Sequence, residues 1–93
     1  MTKADIVKKI AGKTGIDSKV VLQTIEAFMS IVKEEMANEE NIYLRGFGSF
    51  IVKQRAAKTA RNISRNTTLI IPAHNIPSFK PAKSFLAKVS GQE

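Results

Sequence analysis

The apolar residues of the first forty positions recur three and four apart, and those of the later half alternate. Ile6, Val7, Ile10 and Ala11 have the helical period. Thr2 with Asp5 three residues on is a capping-box-like start, with Asp where Glu or Gln is usual. Gly15 is a natural helix stop. Asp17 or Ser18 can cap a second helix, predicted from about Lys19 to Ala37. On it Val21, Leu22, Ile25, Phe28, Met29, Val32 and Met36 share one arc, and Val20, Ala27 and Ile31 add a strip beside it. That is wider than one apolar stripe, so burial on two sides is expected, one against the chain itself and one against a partner.

"NEEN" ends the helical pattern, and "NIYLRGFGSFIVKQR" alternates like a strand with a turn or bulge at Gly46 and Gly48. Phe47, Phe50 and Phe79 are the expected core anchors. "TTLIIPAHNIPSFKPAK" is a second extended region. Pro72, Pro77 and Pro81 exclude it from the centre of a sheet at those points and favour an edge or an irregular path. "KSFLAKV" closes as a short helix with Phe85, Leu86 and Val89 on one face. Helices, then strands, then a helix give an α+β chain.

Between Arg55 and Thr68 the alternation fades. The stretch "KQRAAKTARNISRN" has five positive charges, no negative one and little to bury. A projecting β-ribbon is predicted, with its tip at Asn62–Asn66. Counted from Gln54, about 10 residues at about 3.3 Å each reach about 33 Å, close to one turn of duplex DNA at about 34 Å.

Charge sharpens this picture. Of 93 residues, the first 42 hold six Lys against seven acids, and the remainder nine Lys or Arg against one acid, Glu93. Such asymmetry points to a polyanion, nucleic acid before an acidic membrane surface. A merely solvated surface mixes its signs, and the helical half lacks the basic amphipathic face a membrane binder uses. No apolar run approaches the roughly 20 residues of a membrane span. The charged first 15 residues do not read as a secretory signal, so the sequons at Asn62 and Asn66 are read as chance matches. The absence of cysteine excludes a disulfide framework, a thiolate nucleophile and Cys-based zinc. A chain this short is marginal as a lone monomer.

Catalysis needs a nucleophile–base pair, paired carboxylates or a metal cluster. The acids sit in the helical half, and none lies between Glu40 and Glu93. His74, the single histidine, lacks partners for a metal site or acid–base work and is assigned a surface or phosphate role. A non-enzyme without cofactor or metal is expected. An RNA-binding protein is a further reading, but the arm contains no aromatic residue for stacking.

"GFGSFIVKQRAAKTARN" followed by "IIPAHNIPSFKPAKSF" resembles the HU and integration host factor family of bacterial DNA-bending proteins, over essentially the whole chain. The resemblance implies a single DNA-binding domain, 1–93, forming an intertwined dimer. Residues 1–40 would dimerise. Residues 41–81 would form a three-stranded antiparallel sheet and the arm, with its tip at about 61–66, and 82–93 the closing helix and tail. Two arms would enter the minor groove of double-stranded DNA and bend it, with an apolar wedge at each tip. The place of action would be the nucleoid in the bacterial cytoplasm, where the protein would compact and stabilise the chromosome.

Carried over residue by residue, Arg55, Lys58 and Arg61 match the cationic arm positions and Asn62 the tip Asn. Lys80 and Lys83 match the basic block before the last helix, Lys3 matches a basic residue near the first helix, and Lys53 lies at the arm's base. Arg65 adds a cation at the tip. The family's tip usually reads Arg-Asn-Pro, with Pro as the wedge. Here Ile63 takes that place, and Arg65 and Asn66 replace the usual Thr-Gly. Ile63 either wedges base steps, as apolar side chains do, or packs across the arm. Phosphate contacts do not read sequence, and the minor-groove code is degenerate. Largely non-specific binding that prefers bent, nicked or flexible DNA is therefore expected. A site-specific relative like integration host factor is the alternative, and the dimer can be homo- or heteromeric.

Overall fold

In a computed structural model, residues 1–62 and 67–91 are described. The chain divides into two compact units, Met1–Glu35 and Met36–Glu93.

The first unit is helical. Helix α1 spans Lys3–Thr14. Its capping box is complete: the Thr2 hydroxyl accepts from the Asp5 amide, and the Asp5 carboxylate accepts from the Thr2 amide at 2.9 Å. Gly15 ends the helix in the left-handed conformation (φ 76°), donating its N–H to the Ala11 carbonyl. Helix α2, Ser18–Ala37, opens with the Lys19 amide donating to Asp17 Oδ1 at 2.9 Å, so Asp17 rather than Ser18 supplies the cap. One valine from each helix, Val7 and Val21, is buried. By contrast, Phe28 is 43% exposed and Ile31 55%, and Val20, Leu22 and Met29 are also exposed. The wide apolar surface of α2 is thus present and largely uncovered within one chain.

The second unit is an antiparallel sheet with an arm and a closing helix. Strands β1 (Ile42–Leu44), β2 (Gly48–Arg55) and β5 (His74–Pro81) form the sheet in the order β1-β2-β5. Strands β3 (Lys58–Asn62) and β4 (Thr67–Ile71) form a separate two-stranded ribbon. Helix α3 spans Lys83–Ser90. The proline-bearing β5 lies at a sheet edge, where a missing N–H is tolerated.

The three-residue turn Arg45–Phe47 joins Leu44 to its partner Gly48, with Gly46 at φ 81°. A side chain at Gly48 would put its Cβ 2.6 Å from the Lys80 carbonyl oxygen and 2.6 Å from the Phe79 ring. Only glycine lets β2 and β5 close at that point. Phe47, Phe50, Phe79 and Phe85 form one aromatic cluster, with centroids 5.1–6.0 Å apart, within the favourable range for tilted pairs. The Ala82 amide donates to the Phe47 carbonyl and the Ser84 hydroxyl to the Gly46 carbonyl, tying the start of α3 to the turn. The phenylalanines expected as core anchors do pack together, but one chain does not bury them: Phe47 is 46% and Phe79 38% exposed, and Leu86 and Val89 of α3 are exposed as well.

The arm differs from the continuous ribbon counted from Gln54. Gln54 and Arg55 belong to β2, paired with Asn75 and His74. Pairing lapses at Ala56–Ala57 on one strand and Pro72–Ala73 on the other, then resumes at Lys58↔Ile71. Pro72 cannot donate to a ladder, which accounts for an elbow here. From Lys58 to Asn62 the paired ribbon extends about 17 Å.

Candidate nucleic-acid interface

Register decides which cations share a surface. Along β2 side chains alternate, so Ser49, Ile51, Lys53 and Arg55 lie on one face. Their partners on β5 are Lys80, Ser78, Ile76 and His74, and directly paired residues share a face. Lys53, Arg55, Lys80 and His74 therefore lie together on one face of the sheet. The opposite face carries Phe50 and Phe79, stacked at 5.1 Å. One strand pair separates the aromatic core from a cationic surface.

That surface continues in two directions. Outward it reaches Lys58 at the start of β3, exposed and paired with Ile71; further along the same strand the backbones of Arg61 and Asn62 pair with Thr68 and Thr67. Toward the body, Lys83 opens α3. Lys80 and Lys83 line a cleft of ≈ 450 Å³ together with Arg45 from the β1–β2 turn. Arg45 was not among the residues singled out by pattern. The signal was available: a cation at the turn that begins "RGFG" must project where strands β1 and β2 meet. Ile63 and Arg65 lie outside the described residues, so the tip's wedge and its last cation are not placed.

Among the described residues Lys3–Glu26 is the one ion pair. Both side chains are about half exposed, and such a surface pair contributes little. It occupies the one predicted DNA-contacting lysine of the helical unit. Lys53, Arg55, Lys58, Lys80 and Lys83 are exposed and have no carboxylate partner among the described residues, leaving their charge available to an external anion. Asp5 is held below the usual carboxylate range, first by the hydrogen bond from the Thr2 amide and then by that of its hydroxyl. Among the described residues no group of three or more His, Asp or Glu could hold a metal ion, and no helix is long and apolar enough to cross a membrane.

The comparisons with known proteins agree with this arrangement. A sequence model of the family described as bacterial DNA-binding protein matches residues 1–90. DNA-binding protein HRL53 of Rhizobium leguminosarum is 37% identical over 91 residues, covering 98% of this chain and all of that one. DNA-binding protein HU of Thermus thermophilus is 38% identical over 89 residues, covering 96% and 92%. Among solved structures, an Anabaena HU–DNA cocrystal structure superposes with a TM-score of 0.90 at 31% identity, covering 97% of this chain and 98% of that one. Sequence motif, cationic sheet face, ribbon and fold thus converge, and the chain belongs to the HU and integration host factor family of bacterial DNA-binding proteins.

Proposed function

We propose that this chain is a histone-like architectural protein that binds and bends double-stranded DNA, largely without regard to sequence. The observation that carries this reading is the cationic sheet face of Lys53, Arg55 and Lys80, with Lys58 beside Arg55 at the base of a ribbon whose strand β3 also includes Arg61. The similarity to a HU–DNA cocrystal structure over nearly the whole chain supports it. A five-residue two-stranded ribbon is narrow enough for a groove, and its cations meet phosphate oxygens at the groove walls. Lys3, Lys83 and Arg65 extend the contact beyond the arm, with Lys3 exchanging Glu26 for phosphate. Asn62 and Ile63 act at the tip, Ile63 as the wedge that opens a base step.

The working unit is a dimer. The uncovered apolar surface of α2 and the exposed part of the aromatic cluster are what a second subunit would cover, and two arms then grasp the duplex from both sides. Residues 1–40 serve dimerisation, 41–81 the sheet and arm, and 82–93 the closing helix and tail. A homodimer suffices for this geometry. The site of action is the bacterial chromosome, in the nucleoid of the cytoplasm, a reading that the family relationship supports.

A gel-shift comparison of nicked duplex, linear duplex and RNA of equal length tests the proposal. Tightest binding to nicked duplex, with unrelated linear sequences bound alike, is expected. Preference for RNA, or for one linear sequence, would overturn it.

A further inference from the structure

The elbow where the arm leaves the sheet holds a second kind of site. Arg55 and His74 are the last pair of the sheet, and Lys58 and Ile71 the first of the ribbon. Between them lies a cleft of ≈ 270 Å³ lined by Arg55, Lys58, Ile71, His74 and Ile76. Across an antiparallel pair Cβ atoms stand about 5 Å apart, so the Arg55 and His74 side chains can reach one anion. The His74 ring is fixed by its other nitrogen: Nδ1 lies 3.1 Å from the Pro72 carbonyl oxygen. A carbonyl only accepts, so Nδ1 carries the proton of the neutral ring, and Nε2 then bears a lone pair.

We propose that this elbow is a phosphodiester-binding site that takes up a proton at His74 when DNA enters it. The inference rests on the DNA-binding reading above and adds a proton to it. With Nδ1 committed to Pro72, a neutral His74 offers a phosphate oxygen only repulsion from Nε2. Protonation turns Nε2 into a charge-assisted donor. The charged groups facing the ring are Arg55 from β2 and Lys58 from β3; β4 and β5 contribute Ile71 and Ile76. Glu39 accepts from Asn75, the neighbour of His74 in sequence, which lies on the opposite face of β5 by alternation. Among the described residues no carboxylate lines the cleft. A phosphodiester held between Arg55 and Lys58 favours the charged ring over the neutral one, and histidine is the side chain whose charge changes between pH 5 and 8.

The test is DNA affinity against pH, from about 5.5 to about 8.5 at constant salt, by fluorescence anisotropy on a short duplex. Each elbow takes up at most one proton. Affinity should fall with rising pH by up to about tenfold per unit for one elbow and up to about 100-fold for two. His74→Gln, which keeps a neutral donor, should remove that slope. His74→Lys should remove it too while keeping the acid-side affinity at high pH. The chain has one histidine, so its ring proton signal in NMR is unambiguous, and its titration midpoint should rise when duplex is added. Binding without pH dependence, a slope that survives in His74→Gln, or an unmoved ring titration would overturn the inference and leave the DNA-binding reading standing. Absence of DNA binding at every pH and low salt would overturn both.

Discussion

Replacing Arg55 with alanine tests one proposed phosphate contact separately from the fold that supports it. Arg55 is exposed, ends β2 on the face opposite the aromatic cluster, and has no ion-pair partner among the described residues. Its removal should leave the melting curve nearly unchanged, as surface substitutions of this kind stay within about 0.5 kcal/mol. In a homodimer the change deletes two cations. Each phosphate contact contributes about −0.9 to the slope of log K against log salt, so two lost contacts should make the slope shallower by about 1.8. Over a fourfold rise in salt that difference amounts to about a twelvefold change in relative affinity. The variant should bind much more weakly than the parent at low salt, with the gap narrowing by about that factor as salt rises. Anisotropy titrations on two unrelated duplexes at four or five salt concentrations measure it. An unchanged slope would remove Arg55 from the interface. A loss confined to one duplex would show base reading in place of phosphate contact.

Phe28→Ala should cost about 3–5 kcal/mol in the dimer; because Phe28 is 43% exposed in one chain, part of the loss should appear in sedimentation equilibrium as weakened dimer. Gly48→Ala should lower the melting temperature, since overpacking against the Lys80 carbonyl and Phe79 costs about 1–3 kcal/mol and each kcal/mol shifts it by about 4–8 °C in a domain of this size. The lowered Asp5 carboxyl makes a stabilising contribution that is complete above the ordinary carboxylate value of about 3.9 and lost as pH falls through its folded value. Acid unfolding monitored by circular dichroism should show that loss, and Asp5→Asn should remove it. Ile63→Ala should reduce the preference for nicked over linear DNA while changing low-salt binding to linear DNA little, as measured by competition gel shift; an undiminished preference would show that Ile63 packs along the arm.

The helices were legible because their signals are local. Thr2 and Asp5 are three residues apart, Gly15 directly follows the helix it ends, and the apolar strips of α2 repeat within one element. The arm's existence was legible from its charge and poor apolar content, but not its elbow. Ala56 and Ala57 carry no periodic signal, and Pro72 marks a break whose partner is known only from register. The shared face of Lys53 and Arg55 follows from alternation. Its extension to Lys80 and His74 depends on the pairing of strands about 20 residues apart. Lys3 illustrates the same limit: its pairing with Glu26, 23 residues away, leaves no trace in either local pattern. Arg45 sat in a motif valued for its glycines and aromatics, and its place beside Lys80 and Lys83 emerges only once α3 docks on the turn.

Bending is the central claim, and energy transfer between dyes at the two ends of a short duplex tests it most directly. With the parent protein at stoichiometric concentration and low salt, transfer should rise as the ends approach, and rise further when the duplex carries a central nick that makes the kink easier. Saturated binding with no change in transfer on either duplex would contradict the account, leaving a cationic protein that coats DNA without shaping it.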